Sequence, residues 1–407
     1  MQKQANQQQL IQALNVGDMR TLANLVDQPL EPLQGVKRAD GTTVLHLFVE
    51  NGDKILVEKA LKNGAEIEAL RSGLRSYENA FHLAILHGFI DIIELIDQHD
   101  KNRDDYQDAN TILHRRFAGF SPLILALRED LISQVRAHSN SSFPRAHPLE
   151  VAARLLALGA DPREFFEGTE TFFALKQAIY FKDIKGREQQ HLDLIRAFLQ
   201  SGASDLRKMS PEGYKNNYFQ SAIYQAVRDD LVECVKVLVD NEKERQACFG
   251  IYEAVQSVKS KKMLKLFIDI ASDDGLLKLI REGLDANNNN LLHSILQESW
   301  DFLNQNGIDL ELMTFCLDLQ ISPLKENRKG RTALEVAITL FDKAKNDPLK
   351  ENIKEMIKLF LKKIDLGDFN RLEFKQRYKF IAHDIEIQTL IDPLGEVGEK
   401  PENLIEI

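Results

Sequence analysis

The feature that most constrains this chain is a unit of about thirty residues that recurs along it. Residues 40–68, DGTTVLHLFVENGDKILVEKALKNGAEIE, show one copy. Gly41 supplies a turn and Thr43 can cap the helix after it. Leu45, Phe48 and Val49 fall at helical spacing and give that helix an apolar face. Gly52 breaks the chain, Leu56, Val57, Ala60 and Leu61 form a second amphipathic helix, and Gly64 closes it. Two such short helices cannot bury their apolar faces alone; stacked copies can.

Further copies run through 78–97, GFSPLILAL with HPLEVAARLLALGADP, FFALKQAI with LDLIRAFLQSGAS, and 221–240. Weaker ones are GIYEAVQSV with KKMLKLFID, NNLLHSILQ with LELMTFCLDLQISP, and GRTALEVAI with IKEMIKLFLKKI. The pattern resembles the ankyrin repeat, with a period near 33 residues and a T-P-L-H-x-A helix start. TVLHLF at 43–48, AFHLAI at 80–85, SPLILAL at 121–127 and TALEVAI at 332–338 carry the likeness. So do the endings NGAEIE, LGADP and SGASD. The resemblance implies an all-α helical solenoid of about eight divergent repeats with short hairpin turns, spanning 37–364. Residues 1–36 read as an N-terminal helical cap, 365–391 as the closing cap, and 392–407 as an acidic tail with two prolines and two glycines.

Four insertions interrupt the helix pairs, near 131–147, 182–191, 299–309 and 341–351. Such insertions emerge on one face of a solenoid, often the binding face. The alternative is helix-extended connections between divergent repeats.

Composition narrows the function. Lys and Arg number 52 against 62 Asp and Glu, a net charge of −10, which argues against a general nucleic-acid surface. No run of about 18 apolar residues exists to span a membrane, and the N-terminus lacks a secretory signal core. Three cysteines without CxxC spacing make neither a disulfide framework nor a zinc cluster. No GxxxxGK[ST], GxGxxG, HExxH or GxSxG motif is present, and nothing asks for a cofactor or a metal. His46, His82 and His293 occupy the T-P-L-H histidine position, whose role in the family is structural. Cys234 and Cys316 read as small core hydrophobes. The lysines Lys259, Lys261, Lys262 and Lys265 read as a solvated helix face.

By resemblance, the chain is a protein-interaction scaffold rather than an enzyme, binding a partner protein through hairpin tips and first helices. The variable positions fall on Ala39, Asp40, Thr42, Glu50 and Asn51 in the first copy, and on Arg75, Ser76, Glu78, Leu86 and His87 in the second. They continue at Phe117, Phe120, Arg128 and Glu129, at Tyr180 and Phe181, and at Arg228 and Asp229. The competing reading is a cysteine-protease-like hydrolase built on the insertions, using Cys248 with His138, His147 or His191. The glutamate-rich terminus, with Leu404 and Ile405 near its end, resembles export signals of bacterial type IV secretion effectors of the Legionella and Coxiella kind. That likeness implies delivery into a host cell, with a host protein as partner; the alternative is an ordinary solubilising tail on a cytoplasmic scaffold, and the chain is expected to be a monomer.

Overall fold

Thr43, Asn79, Ser121, Asn290 and Thr332 each start a helix in the same way: the side-chain oxygen accepts the backbone N–H three residues on. Gly52 and Gly88 end two of those helices in left-handed geometry, at φ of 80° and 82°. In the computed structural model these signals bound short helices that follow one another in pairs. The structure describes residues 2–72, 77–103, 111–116, 119–137, 141–162, 174–181, 184–203, 222–240, 254–255, 257–270, 278, 280–282, 287–297, 308–344, 347–364 and 387.

Two compact units divide the chain, one of residues 1–222 and 237–247, the other of 223–236 and 248–407. The first opens with α1 (Gln2–Val16) packed on α2 (Met19–Leu25). The pairs α3 (Val44–Asn51) with α4 (Lys54–Lys62) and α5 (Ala80–His87) with α6 (Ile90–Lys101) follow. Between them lies the two-stranded hairpin of β1 (Arg71–Ser72) and β2 (Tyr77–Glu78). Next come α7 (Pro122–Leu125), α8 (Glu129–Ala137), α9 (Pro148–Leu158), α10 (Ala174–Tyr180) and α11 (Glu188–Phe198).

The packing is a ladder of two layers. First helices stack α3 on α5, α5 on α7 and α7 on α10; second helices stack α4 on α6, α6 on α9 and α9 on α11. Leu45, Phe48, Val57, Phe81, Ile92, Leu123, Leu155 and Ile195 fill the space between the layers, all fully buried. Helix α8 stands outside the ladder and packs on α5.

The chain continues through α12 (Ala222–Arg228) and α13 (Val232–Asp240). The second unit then adds α14 (Lys261–Ile270), α15 (Leu291–Leu296), α16 (Leu310–Asp318), α17 (Ala333–Lys343) and α18 (Asp347–Lys363). Again α15 stacks on α17, while α14 stacks on α16 and α16 on α18. The fold is all-α, its strands confined among the described residues to one two-stranded hairpin.

The insertions have separate fates. Around 131–147 the chain is not an open loop: Glu129 and Asp130 start α8, Arg136 sits in its last turn, and Leu131 and Ile132 are buried. Around 341–351 the connection is helix extension, α17 running to Lys343 and α18 beginning at Asp347. Residues 299–307, the closing cap apart from Ile387, and the acidic tail lie outside the described residues.

Candidate functional site

Three histidines lock the ladder. The His46 ring receives Thr43 N–H on Nδ1 at 3.2 Å, with the Thr43 hydroxyl also 2.8 Å from Nδ1. Its Nε2 reaches the carbonyl of Glu78, one repeat on, at 3.3 Å. His82 Nε2 meets the Arg115 carbonyl at 3.1 Å, and His293 Nε2 the Arg331 carbonyl at 3.0 Å. A carbonyl only accepts, so each Nε2 carries a proton, and His46, whose Nδ1 accepts the Thr43 N–H, is the neutral tautomer. Burial favours that form, pushing His46 and His82 down to about 4. The expected structural role of this histidine is what the geometry displays.

The hairpin is fastened to the first helix by charge. Arg71 on β1 donates to Glu50 of α3 at 2.6 Å and to Glu78 of β2 at 2.7 Å. Glu78 is buried, and burial pushes its carboxyl up despite the neighbouring guanidinium. Ser72 N–H adds a bond to the Asp40 carbonyl at 2.8 Å.

Several expected face positions are therefore corrected. Thr42, Glu78, Leu86, His87 and Phe181 are buried and do not present side chains at the surface. Thr42 is held inside the first turn, its N–H on Asp40 Oδ1 at 2.9 Å and its carbonyl receiving Arg38 N–H at 2.8 Å. Glu78 is drawn inward by Arg71. Phe181 packs edge-on against His147 at 5.6 Å. Leu86 and His87 are covered because every residue of α5 is buried.

Some of the remaining positions lie where a partner could touch them. Asp40, Asn51, Arg228 and Asp229 are exposed, and Glu50 is half-buried and paired with Arg71. Arg128 stacks over the Phe120 ring at 4.5 Å and grips Asp130 through two bonds at 2.8 and 2.7 Å. Arg75, Ser76, Phe117 and the Tyr180 side chain lie outside the described residues.

The segment covering α5 is the 131–147 insertion. Arg136 donates Nε to the Leu86 carbonyl at 3.2 Å and Nη2 to the Ala146 carbonyl at 3.0 Å. Ala146 N–H reaches the Gly88 carbonyl at 2.8 Å, and the Ser141 hydroxyl reaches the Asn51 carbonyl at 2.7 Å. Beneath it, the His87 ring stacks on Phe89 at 5.4 Å, and burial with Arg145, Arg136 and Arg71 nearby pushes His87 down to about 4.

Of the groups considered for hydrolysis, His191 is buried with Nε2 on the Ala178 carbonyl at 2.7 Å, and His147 caps α9 through Nδ1 on Leu149 N–H at 3.3 Å. Burial pushes the Cys234 and Cys316 thiols up to about 12, so both are protonated. His138 and Cys248 lie outside the described residues. Among the described residues no group of three His, Cys, Asp or Glu side chains is placed to hold a metal ion, and no helix is long and apolar enough to cross a membrane.

One arrangement escaped the sequence reading. Phe315 on α16 has Lys261 Nζ at 5.9 Å and Lys265 Nζ at 5.8 Å from its ring centre. It lines an open hollow of about 240 Å³ with Leu310, Glu311, Thr314, Asp318 and Lys261. The lysine run looked like a solvated face because its aromatic partner lies some fifty residues downstream.

No family model matches the chain, and no curated protein matches it. Among solved structures it is similar to the ankyrin repeat protein EF0377, at 20% identity and a TM-score of 0.38 over 57% of this chain and 96% of that one. It is also similar to the ankyrin repeat domain of Bcl-3, a member of the IkappaB family, at 15% identity and 0.34 over 85% and 97%. The ankyrin repeat domain of human ASB11 gives 12% identity and 0.34 over 85% and 96%. At these values the repeat assignment rests on the chain's own ladder and histidine bridges.

Proposed function

We propose that this chain is a protein-interaction scaffold whose partner docks on hairpin tips and first-helix ends. The observation that supports this most is the division of labour within one repeat. His46, Arg71 and Glu78 are consumed in fastening helix to hairpin, while Asp40 and Asn51 are left exposed on the same rigid frame. In the second unit Arg228 and Asp229 form a separate exposed position. The net charge of −10 steers a basic partner toward such surfaces. The test is quantitative capture from a lysate by wild type, by Asp40→Arg with Asn51→Arg, and by Arg228→Glu. A bound protein that falls at least about tenfold in a face variant of unchanged melting temperature supports docking there. Equal capture by all three contradicts it.

Delivery into a host cell is a further part of this reading, resting on the tail's resemblance to export signals. The partner is then a host protein and the chain acts as a monomer. Reporter fusions with and without residues 392–407, expressed in a bacterium with a working type IV system, decide it. Equal delivery of both, or of neither, removes the secretion reading and leaves a cytoplasmic scaffold.

A further inference from the structure

The ends of the first helices in the leading repeats are already occupied, and the occupant is the chain itself. Residues 141–146 place three donors on three helix-end carbonyls. The Ser141 hydroxyl meets Asn51 of α3 at 2.7 Å, Ala146 N–H meets Gly88 after α5 at 2.8 Å, and Arg145 Nη1 meets Arg136 of α8 at 3.4 Å. Helix C-termini carry unsatisfied carbonyls, so they suit a donor-rich segment. The receiving surface also has room for a close backbone approach. A Cβ on Gly52 would stand 2.9 Å from Ser141 Oγ, and one on Gly88 would stand 2.7 Å from the Ala146 carbonyl.

The insertion has two parts with different holds. Helix α8 is integral, with Leu131 and Ile132 each 4% exposed. The 141–146 segment is laid on shallowly: Ser142 and Pro144 are exposed and Phe143 is 42% exposed. Polar donors hold residues 141–146, whose large apolar side chain contributes little burial, while His147 belongs to the fixed frame as the cap of α9, packed on Phe181.

From this we infer that residues 141–146 are a built-in occupant of a peptide-docking groove. The partner that fits is an extended segment with a serine or threonine hydroxyl four residues ahead of an arginine. It makes the same contacts to the α3, α5 and α8 ends and displaces 141–146 while α8 and the His147 cap of α9 stay in place. This rests on the scaffold reading and names the partner's chemistry and the device that limits its access.

The experiment uses the full chain and a fluorescein-labelled peptide of its own sequence SSFPRAH, residues 141–147. The variant Ser141→Ala with Ala146→Pro removes two of the three donors from the covering segment and leaves every residue of α3, α5 and α8 unchanged. Vacating the groove raises apparent affinity by the reciprocal of the fraction open, so the peptide should bind the variant at least about tenfold more tightly than wild type. A peptide with alanine at the serine and arginine positions should lose that gain. Equal binding to variant and wild type overturns the inference, as does equal binding of the alanine peptide. Unfolding of the variant also overturns it, because the segment would then be structural. Asn51 enters these outcomes only through its backbone carbonyl, and Asp40 and Arg228 do not enter them, so Arg228→Glu tests the scaffold reading separately.

Discussion

Lowering the pH from 7 to 5 should strongly destabilise the first unit through its buried histidines. His46, His82 and His87 are each pushed down from 6.5 to about 4, burial being the largest cause in all three. Arg71 adds to the depression of His46, and Arg145, Arg136 and Arg71 to that of His87. The unfolded chain protonates each ring near pH 6.5, whereas the folded chain resists until about pH 4. Between those values the unfolded state binds more protons, so stability falls as pH falls. At pH 7 the folded rings are neutral and the unfolded ones mostly so, and the penalty is small. At pH 5 each ring costs roughly 2 kcal/mol, and the three together on the order of 6 kcal/mol. That approaches the whole stability of an ordinary domain, about 5–15 kcal/mol. Glu78 and Asp97 act in the opposite sense, because burial raises both carboxyls and the folded state holds their protons more firmly. Their effect comes in only as pH falls toward those raised values. The assay is urea unfolding followed by circular dichroism at pH 7, 6 and 5. The midpoint should fall steadily, with an uptake of roughly two to three protons on unfolding near pH 5. A midpoint that is flat or rises over that range refutes the argument, and with it the neutral, carbonyl-bridging histidines.

Other changes probe separate parts of the frame. Leu45→Ala and Leu123→Ala, both at sites with 0% exposure, should each cost about 2–5 kcal/mol in denaturant melts; near-zero costs would mean that the repeat register is misplaced. Arg71→Met leaves Glu78 buried without its cation and should cost about 3–5 kcal/mol at neutral pH. The cost should shrink in acid as Glu78 takes a proton, so a pH-independent cost contradicts this pairing. Gly88→Ala forces a side chain into a backbone at φ 82° and against the Ala146 carbonyl. It should cost about 1–3 kcal/mol by thermal melting, and a neutral result would show that the insertion does not lie there.

The helix pairs and their caps were legible because they rest on local signals. Thr43, Ser121 and Thr332 each precede an apolar helical stripe, and Gly52 and Gly88 follow one. The histidine positions were legible through the family pattern, since a ring three residues past the cap is placed to bridge repeats. The burial of Leu86 and His87 had a signal that went unused. AFHLAILH is apolar almost all round, and a helix of that kind needs cover on every side. The cover was present too: EDLISQVRA has acidic residues at its start, a basic residue at its end and an amphipathic pattern between. It read as an insertion because the family has a tight turn there. Burial of Glu78 was not legible in this way, because it depends on Arg71 arriving across a hairpin whose register only the folded chain sets. The same holds for Phe315 and its two lysines, which neighbouring repeats bring together.

The central claim is that the chain recognises a protein through hairpin tips and first-helix ends. Hydrogen exchange on the full chain, alone and with a captured partner, tests it most directly. The account predicts slowed exchange on binding around Asp40 and the Asn51–Asp53 turn, together with faster exchange at Ala146 as 141–146 is displaced. Protection confined to the second helices α4, α6 and α9, with the hairpin and the Ala146 amide unchanged, would contradict it.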